Sequence, residues 1–377
     1  MLATVKMIAG YMEELAPLDL ALPGDPSGLQ LGDPEAPVAK VLVALDPDEA
    51  ALRQALAVGA SLVVTHHPLL FHPAASIDES RPRGALISAF IRNRISVYSA
   101  HTNLDTAPRG LNHALAELIG LSPSGRSVLK ASGQDRYLKL VVFVPRGHED
   151  SVRDALAEAG AGWIGNYSHC TFQAPGTGTF MPREGTNPYI GQQGRLEKVE
   201  ELRLETILPA SRRQAVIKAL LAAHPYEEVA YDIYPLAGAG EAVGLGLCGQ
   251  LEPPLELEAI LARCRERLKL KDLRYWASAK DRFSRIAVCG GSGGSLVEAA
   301  IAMGAELYIS GDFRYHDFKT AQAAGMGLID AGHYGTEQPA VALIENHLRN
   351  CLQRDGRETV VIAAAAAAEA DWNYLEG

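Results

Sequence analysis

Three things are scarce in this sequence: paired cysteines, blocks of basic charge and long apolar runs. Its five cysteines, Cys170, Cys248, Cys264, Cys289 and Cys351, form no Cys-x-x-Cys pair. An odd, scattered set suits a reducing compartment better than a disulfide framework. No stretch approaches the roughly 20 apolar residues needed to span a bilayer, and the Ala tract at 363–368 is short and followed by Glu369 and Asp371. The opening stretch MLATVKMIAGYMEEL sets Lys6 and two glutamates inside a helical period. It lacks the apolar core and small-residue cleavage site of a secretory leader. The formal net charge is −10, with no basic block and no basic-aromatic stripe, which argues against a duplex-tracking nucleic-acid binder. Individual anionic ligands stay open if a local site concentrates positive charge. The expectation is a cytoplasmic protein with neither a membrane nor a nucleic acid as partner.

What is there is ordinary globular material. Of 377 residues, 47% are hydrophobic and 21% charged, enough for two or three domains. From 41 to 121 short apolar runs alternate with amphipathic stretches: KVLVAL, SLVVTHH and ISVYSAH read as strands, DEAALRQALAVGA, GALISAFIRN and LNHALAELIGL as helices. Residues 285–350 repeat the alternation, with strands at RIAVCGG, ELYISGD and GLIDAGH. Such a pattern predicts a mostly parallel, helix-covered sheet in each half. The likeness is closer than class. GASLVVTHHP (59–68) aligns with GAELYISGDF (304–313), and each is followed by a helix and a strand ending on a His with an acid four residues on, His101 to Asp105 and His333 to Glu337. Two related α/β halves are expected, although any two strand–helix units share some of this.

Between the halves the texture changes. Strands at 137–147, near 164–172, at 199–208 and at 227–236, with helices at 148–160 and 211–223, give a βαβ-βαβ order, the ferredoxin-like arrangement. The Gly- and Pro-rich QAPGTGTFMPREGTNPYIGQQG (173–194) reads as a long loop. The predicted fold class is therefore α/β: two related halves, 1–128 and 245–377, forming one core, with an inserted ferredoxin-like α+β domain at 129–244.

Ligands of parallel α/β sheets bind beyond the carboxyl ends of the strands. The polar residues at those ends are His66, His67, His101, Asp105, Asp312, His333 and Glu337. Imidazole and carboxylate without thiolate suit zinc, iron, manganese or cobalt. Pro68 disfavours the α region for His67 and keeps it extended, and neighbours on an extended chain point to opposite sides. One ion therefore cannot easily take both rings, whereas two ions bridged by carboxylates could. Asp105 and Glu337 are the acids available to bridge. The bland alternative is that the His-His pair caps the sheet and bonds to nearby carbonyls. His72, His113, His224 and His347 have no such context and read as surface or structural residues. His316, in GDFRYHD, lies beyond its strand and could carry a proton or stand as an exposed helix-start residue.

Two glycine segments come next. CGGSGG (289–294) lies between a strand and a helix, so the N–H groups of Gly290, Gly291, Ser292 and Gly293 could hold an anion such as phosphate. A tight strand-to-helix turn explains it equally well. In GDPSGLQLG (24–32) the glycines mark turns, and Asp25 and Ser27 could reach the site or cap those turns.

GDPSGLQLG, VTHHPLLFH, SAHTNLD, SGDFRYHD and DAGHYGTE resemble, in order, the motifs of the GTP cyclohydrolase 1 type 2 homolog family, also called the Nif-three-like or dinuclear metal centre family. They run from about residue 24 to 337. IGNYSHCTFQAPGTGTF, NPYIGQQG and HPYEEVAYDIYPL look like the extra PII- and CutA-like domain of longer bacterial members. The resemblance implies metal ligands at His66, His67, Asp105, His333 and Glu337, with His101 near the site, two divalent metal ions and a ring-like homohexamer. One motif departs: where the family commonly has Trp-Asp-Asn, this chain has Gly24-Asp25-Pro26.

The family name implies hydrolytic opening of the guanine ring of GTP by metal-activated water, with His101 or His316 relaying a proton and the GGSGG turn holding the triphosphate. A metal-dependent phosphoesterase acting on nucleotides or small phosphates is the alternative hydrolase. A non-catalytic, metal-binding or regulatory hexamer is the alternative outside enzymology.

Overall fold

The computed structural model describes residues 1–238 and 240–365, so the end of the Ala tract with Glu369 and Asp371 lies outside the described residues. The chain divides into two compact units, one made of Met1–Gly133 and Ala242–Gly377, the other of Gln134–Glu241.

The first unit holds a two-stranded pairing of Ala3–Thr4 with Pro37–Val38 and two larger sheets whose central strands are the apolar runs of the sequence. In the five-stranded sheet the order is Val360–Ala363, Lys40–Ala44, Leu62–Thr65, Ser96–Ser99 and Gly28–Leu31, parallel except for the last. Leu42, Val63 and Val97 pack against Leu52 and Phe90 on one face. Val41, Val43, Leu62 and Val64 pack with Ile344 and Leu348 on the other. Burial on both faces is why these strands read as continuous apolar runs rather than as alternations.

The six-stranded sheet runs Arg274–Trp276, Gly327–Asp330, Leu307–Gly311, Arg282–Ser292, Glu241–Glu256 and Ser127–Asp135. Three of its strands, 282–292, 307–311 and 327–330, are parallel neighbours in sequence order, closed by the antiparallel edge 274–276. Strands 40–44, 62–65 and 96–99 with their antiparallel edge 28–31 follow the same plan. In each set the third parallel strand leads into a five-residue helix, Thr102–Thr106 or His333–Glu337. Gly28–Leu31, which reads as a turn from its glycines, is an edge strand.

The second unit has the order strand, helix, strand, strand, helix, strand: Tyr137–Pro145, Glu149–Glu158, Thr171–Phe180, Glu197–Pro209, Arg213–Ala223 and Tyr231–Pro235. The four strands are antiparallel and lie in the order fourth, first, third, second. Val152, Leu156, Val216 and Leu220 of the helices cover Leu140, Val142, Val144, Leu204 and Leu208. The second strand begins at Thr171 rather than near 164, and absorbs the APGTGTF portion of the expected loop. That strand is at the sheet edge and pairs only with Glu197–Pro209, where a proline is tolerated because one side of the backbone has no strand to bond.

Candidate metal centre

The SLVVT strand stops at Thr65, and the next two residues bend rather than extend. The Thr65 hydroxyl donates to the His67 carbonyl at 2.7 Å, and the Ser99 hydroxyl, on the neighbouring strand, reaches the same carbonyl at 3.2 Å. This local bend turns both imidazoles the same way: their ring centroids lie 5.1 Å apart. The expectation that the two rings point to opposite sides is therefore corrected, and hydroxyls at the strand ends are the reason.

The second imidazole pair and the acids arrive on short helices. His101 is the N-cap of Thr102–Thr106, which carries Asp105 one turn on, and His333 and Glu337 share one face of His333–Glu337 at i and i+4. Of the ligands implied by the resemblance, His66, His67 and His333 face Glu337, and Asp105 faces His66. Its Oε1 is 3.7 Å from His66 Nε2, and its Oε2 is 2.9 Å from His67 Nε2 and 3.0 Å from His333 Nε2. Asp105 Oδ1 is 3.7 Å from His66 Nε2. His101 joins the group with its ring 5.4 Å from His66 and 5.8 Å from His67.

Each imidazole is held by its other nitrogen. His66 Nδ1 bonds to the Ala100 carbonyl (2.8 Å), His67 Nδ1 to Asp46 (2.7 Å), His101 Nδ1 to Asp25 (2.5 Å) and His333 Nδ1 to Asp312 (2.7 Å). A carbonyl or carboxylate at Nδ1 takes the ring N–H, fixing the ring orientation and the tautomer in which Nε2 keeps a free lone pair, as in metal-ligating histidines. Asp46 belongs to none of the sequence motifs. Its available signal was an acid two residues past the end of the KVLVA strand.

The carboxylates and imidazoles of the cluster shift one another strongly. Burial raises carboxyl groups, yet the imidazoles of His333, His66 and His67 hold Glu337 far below the usual range. Asp105, with less compensation, is pushed by burial up to about 6. Burial would lower His67, but Asp46 and Glu337 carry it up to about 10. The bond to Glu337 raises His333 to about 9 against its burial. Burial also opposes the proton on His66, where Asp105 and Glu337 prevail and raise it.

His66 Nε2 and Asp105 Oδ1 are buried without a hydrogen-bond partner among the described residues. Orphaned buried polar atoms are costly unless something outside the chain satisfies them. Ligand atoms of His66, His67 and His101 lie within 4.8 Å of one another, as do those of His67, His333 and Glu337. The donor set is nitrogen and oxygen, and it fits a divalent cation.

The other sequence candidates fall elsewhere. His316 is exposed near the start of Tyr315–Ala323, its ring edge-on to Tyr315, and belongs to neither ligand group. The glycine segment is a wall of the site rather than an anion cradle. The Gly290 N–H donates to Asn112, Gly291 to Thr336 and Gly293 to the Gly311 carbonyl, so three of the four N–H groups are committed within the protein. A Cβ on Gly291 would stand 2.2 Å from Glu337 Oε1, and one on Gly293 2.1 Å from the Ser310 hydroxyl. These glycines are there for close approach to the second half's helix and strand. His224 and His347 bond to the Phe143 and Tyr11 carbonyls, His113 is half-buried and His72 is exposed.

Among the described residues no helix is long and apolar enough to cross a membrane, and Cys170, Cys248, Cys264 and Cys289 are free thiols. The chain is 39% identical to a GTP cyclohydrolase 1 type 2 homolog of Halalkalibacterium halodurans over 364 residues, 97% of either chain. It is 40% identical to the Bacillus subtilis protein of that name over 329 residues, 87% of this chain and 88% of the other. The crystal structure of a Bacillus cereus protein related to NIF3 superposes with a TM-score of 0.78 at 39% identity, covering both chains completely. A Staphylococcus aureus structure gives 0.67 at 25% identity over 99% of each. A profile of the Duf34/NIF3 (NGG1p interacting factor 3) family matches residues 3–367, and the chain belongs to that family.

Proposed function

We propose that this protein is a metal-dependent hydrolase in which His66, His67, Asp105, His333 and Glu337 hold two divalent ions. The observation that carries the reading is the arrangement around Glu337. One oxygen faces His66 and the other faces His67 and His333, as suits a carboxylate shared between two cations. Zinc, iron, manganese and cobalt all accept this donor set. Bound there, the pair supplies Lewis acidity and brings the pKa of water toward neutrality.

The chain's own residues do the rest. Asp46 and Asp312 orient His67 and His333 through their Nδ1 atoms. His101 stands at the cluster with Asp25 behind it, so it can take a proton at Nε2 and keep the other on Nδ1. That position, and the exposure of His316, favour His101 as the proton carrier. Leu104 and Phe313, next in sequence to Asp105 and Asp312, are buried in the hydrophobic cores.

The name shared by the relatives points to GTP as the substrate and to hydrolytic opening of its guanine ring. The strand order fourth, first, third, second in Gln134–Glu241 supports a ferredoxin-like insert. A homohexamer in the cytoplasm completes the reading.

Metal analysis of the purified protein, together with GTP turnover followed by mass spectrometry, is the test. Two equivalents of metal and a formylated pyrimidine product are expected, with turnover lost in Glu337→Gln. Release of inorganic phosphate without ring opening would assign a phosphoesterase instead. Turnover that survives Glu337→Gln would remove the metals from catalysis.

A further inference from the structure

The unit Gln134–Glu241 carries a cavity of about 610 Å³ that opens to solvent. Its lining strand residues Phe143, Glu201 and Arg203 alternate with the residues that face the helices, Val142, Val144 and Leu204, so it lies on the sheet face opposite the two helices. The volume falls within the range of small-molecule sites. Phe180, Tyr189 and Tyr226 close around it, with ring centroids 5.9 Å apart for Phe180 and Tyr226 and 6.3 Å for Tyr189 and Tyr226.

The charged groups on the lining are mostly of one sign. Glu201, Glu227 and Glu228 line the cavity with one cation, Arg203. Arg203 is already engaged, its Nε donating to Glu205 at 2.8 Å. Glu201 is only 7% exposed, and among the described residues its hydrogen-bond partner is the Tyr226 hydroxyl at 3.1 Å. No lysine, arginine or histidine pairs with it among the described residues. A carboxylate held this deep against a phenol and aromatic faces lacks a counter-charge, and burying one without compensation is expensive. The neighbouring strand makes room for it: a Cβ on Gly178 would lie 2.1 Å from Glu201 Oε2.

We infer that this cavity binds a small organic cation, an amine or quaternary ammonium carried on a flat apolar body. The cationic head takes the place opposite Glu201, where aromatic faces add their quadrupoles to the carboxylate. The apolar body covers Phe180 and Tyr226, and Glu228 at the exposed edge draws the cation in. None of the residues implicated in the metal centre takes part.

Isothermal titration of the full chain with benzyltrimethylammonium, benzyl alcohol and benzoate tests this. The cation is expected to bind at least about tenfold more tightly than either comparator, a difference of about 1.4 kcal/mol. Glu201→Gln is expected to reduce the cation to the affinity of benzyl alcohol, with metal content unchanged. Should that variant fail to fold, Glu228→Gln, an exposed change, is expected to weaken the cation about two- to fivefold while leaving benzyl alcohol alone. No binding of the cation at about 10 mM, benzoate binding as tightly, or affinity untouched by Glu228→Gln would overturn the inference.

Discussion

His67 Nδ1 lies 2.7 Å from Asp46 Oδ1, and His333 Nδ1 lies at the same distance from Asp312 Oδ2. In both halves a carboxylate thus stands behind the imidazole that faces Glu337. It holds the ring in place and raises the basicity of Nε2. Asp46→Asn keeps the shape but gives up the charge. Metal affinity, read by competition with a chelator, is expected to fall about 10- to 100-fold in Asp46→Asn, with the same change in Asp312→Asn. Equal affinity in wild type and both variants would remove these acids from metal support.

Asp25 plays a different part. Burial raises its carboxyl, but bonds from His101 and Ser27 outweigh that and lower it. His101 is held by this acid at the edge of the cluster, so Asp25→Asn is expected to cost turnover rather than metal. A fall in kcat of about 10²- to 10⁴-fold, with metal content at the wild-type level, is the expected pair of results. Loss of metal in parallel with activity would make His101 a ligand instead of a proton carrier.

Gly291 has φ of +65° and packs where any Cβ would stand 2.2 Å from Glu337 Oε1. Gly291→Ala therefore combines an unfavourable backbone conformation with displacement of the central carboxylate. A loss of about 1–3 kcal/mol in unfolding free energy is expected, and metal affinity should drop with it. Gly304→Ala is the control: it shares the left-handed backbone, with φ of +71°, but its Cβ would come no nearer than 3.9 Å to Arg285. It should lose stability without losing metal.

The central strands and the site were legible because both follow from one-dimensional signals. Leu62–Thr65 and Leu307–Gly311 are buried on both faces and read as unbroken apolar runs, and the candidate residues His66, His67 and Asp312 stand immediately after such runs. Edges were not legible. Gly28–Leu31 and Thr171–Phe180 carry glycine or proline, and only pairing with a neighbour makes them strands. The same blindness to tertiary partners explains the glycine segment: its N–H groups look free in sequence, yet Asn112 and Thr336 come from elsewhere in the chain to take them. The bend at His66–His67 depended on Ser99, thirty-odd residues on, and Pro68 alone pointed the wrong way.

Glu306 sets an acid limit on the second half. Its carboxylate receives the Lys280 ammonium at 2.6 Å and the N–H groups of Ser284 at 2.7 Å and Arg285 at 3.2 Å, tying strand 282–292 to strand 307–311. Burial alone would raise its pKa, but these donors prevail and lower it from 4.5 to about 2. A carboxyl lowered on folding contributes stability that is complete above its unfolded value and disappears as pH falls through the folded one. The contribution is therefore present at pH 7 and lost between about 4.5 and 2. Glu306→Gln is expected to cost about 1–3 kcal/mol at pH 7, measured by denaturant unfolding. Its stability should then decline less steeply than that of wild type below pH 4.5, so that the two curves converge toward pH 2. Parallel curves across that window would mean that the ammonium and the two N–H groups do not hold Glu306 in its charged form.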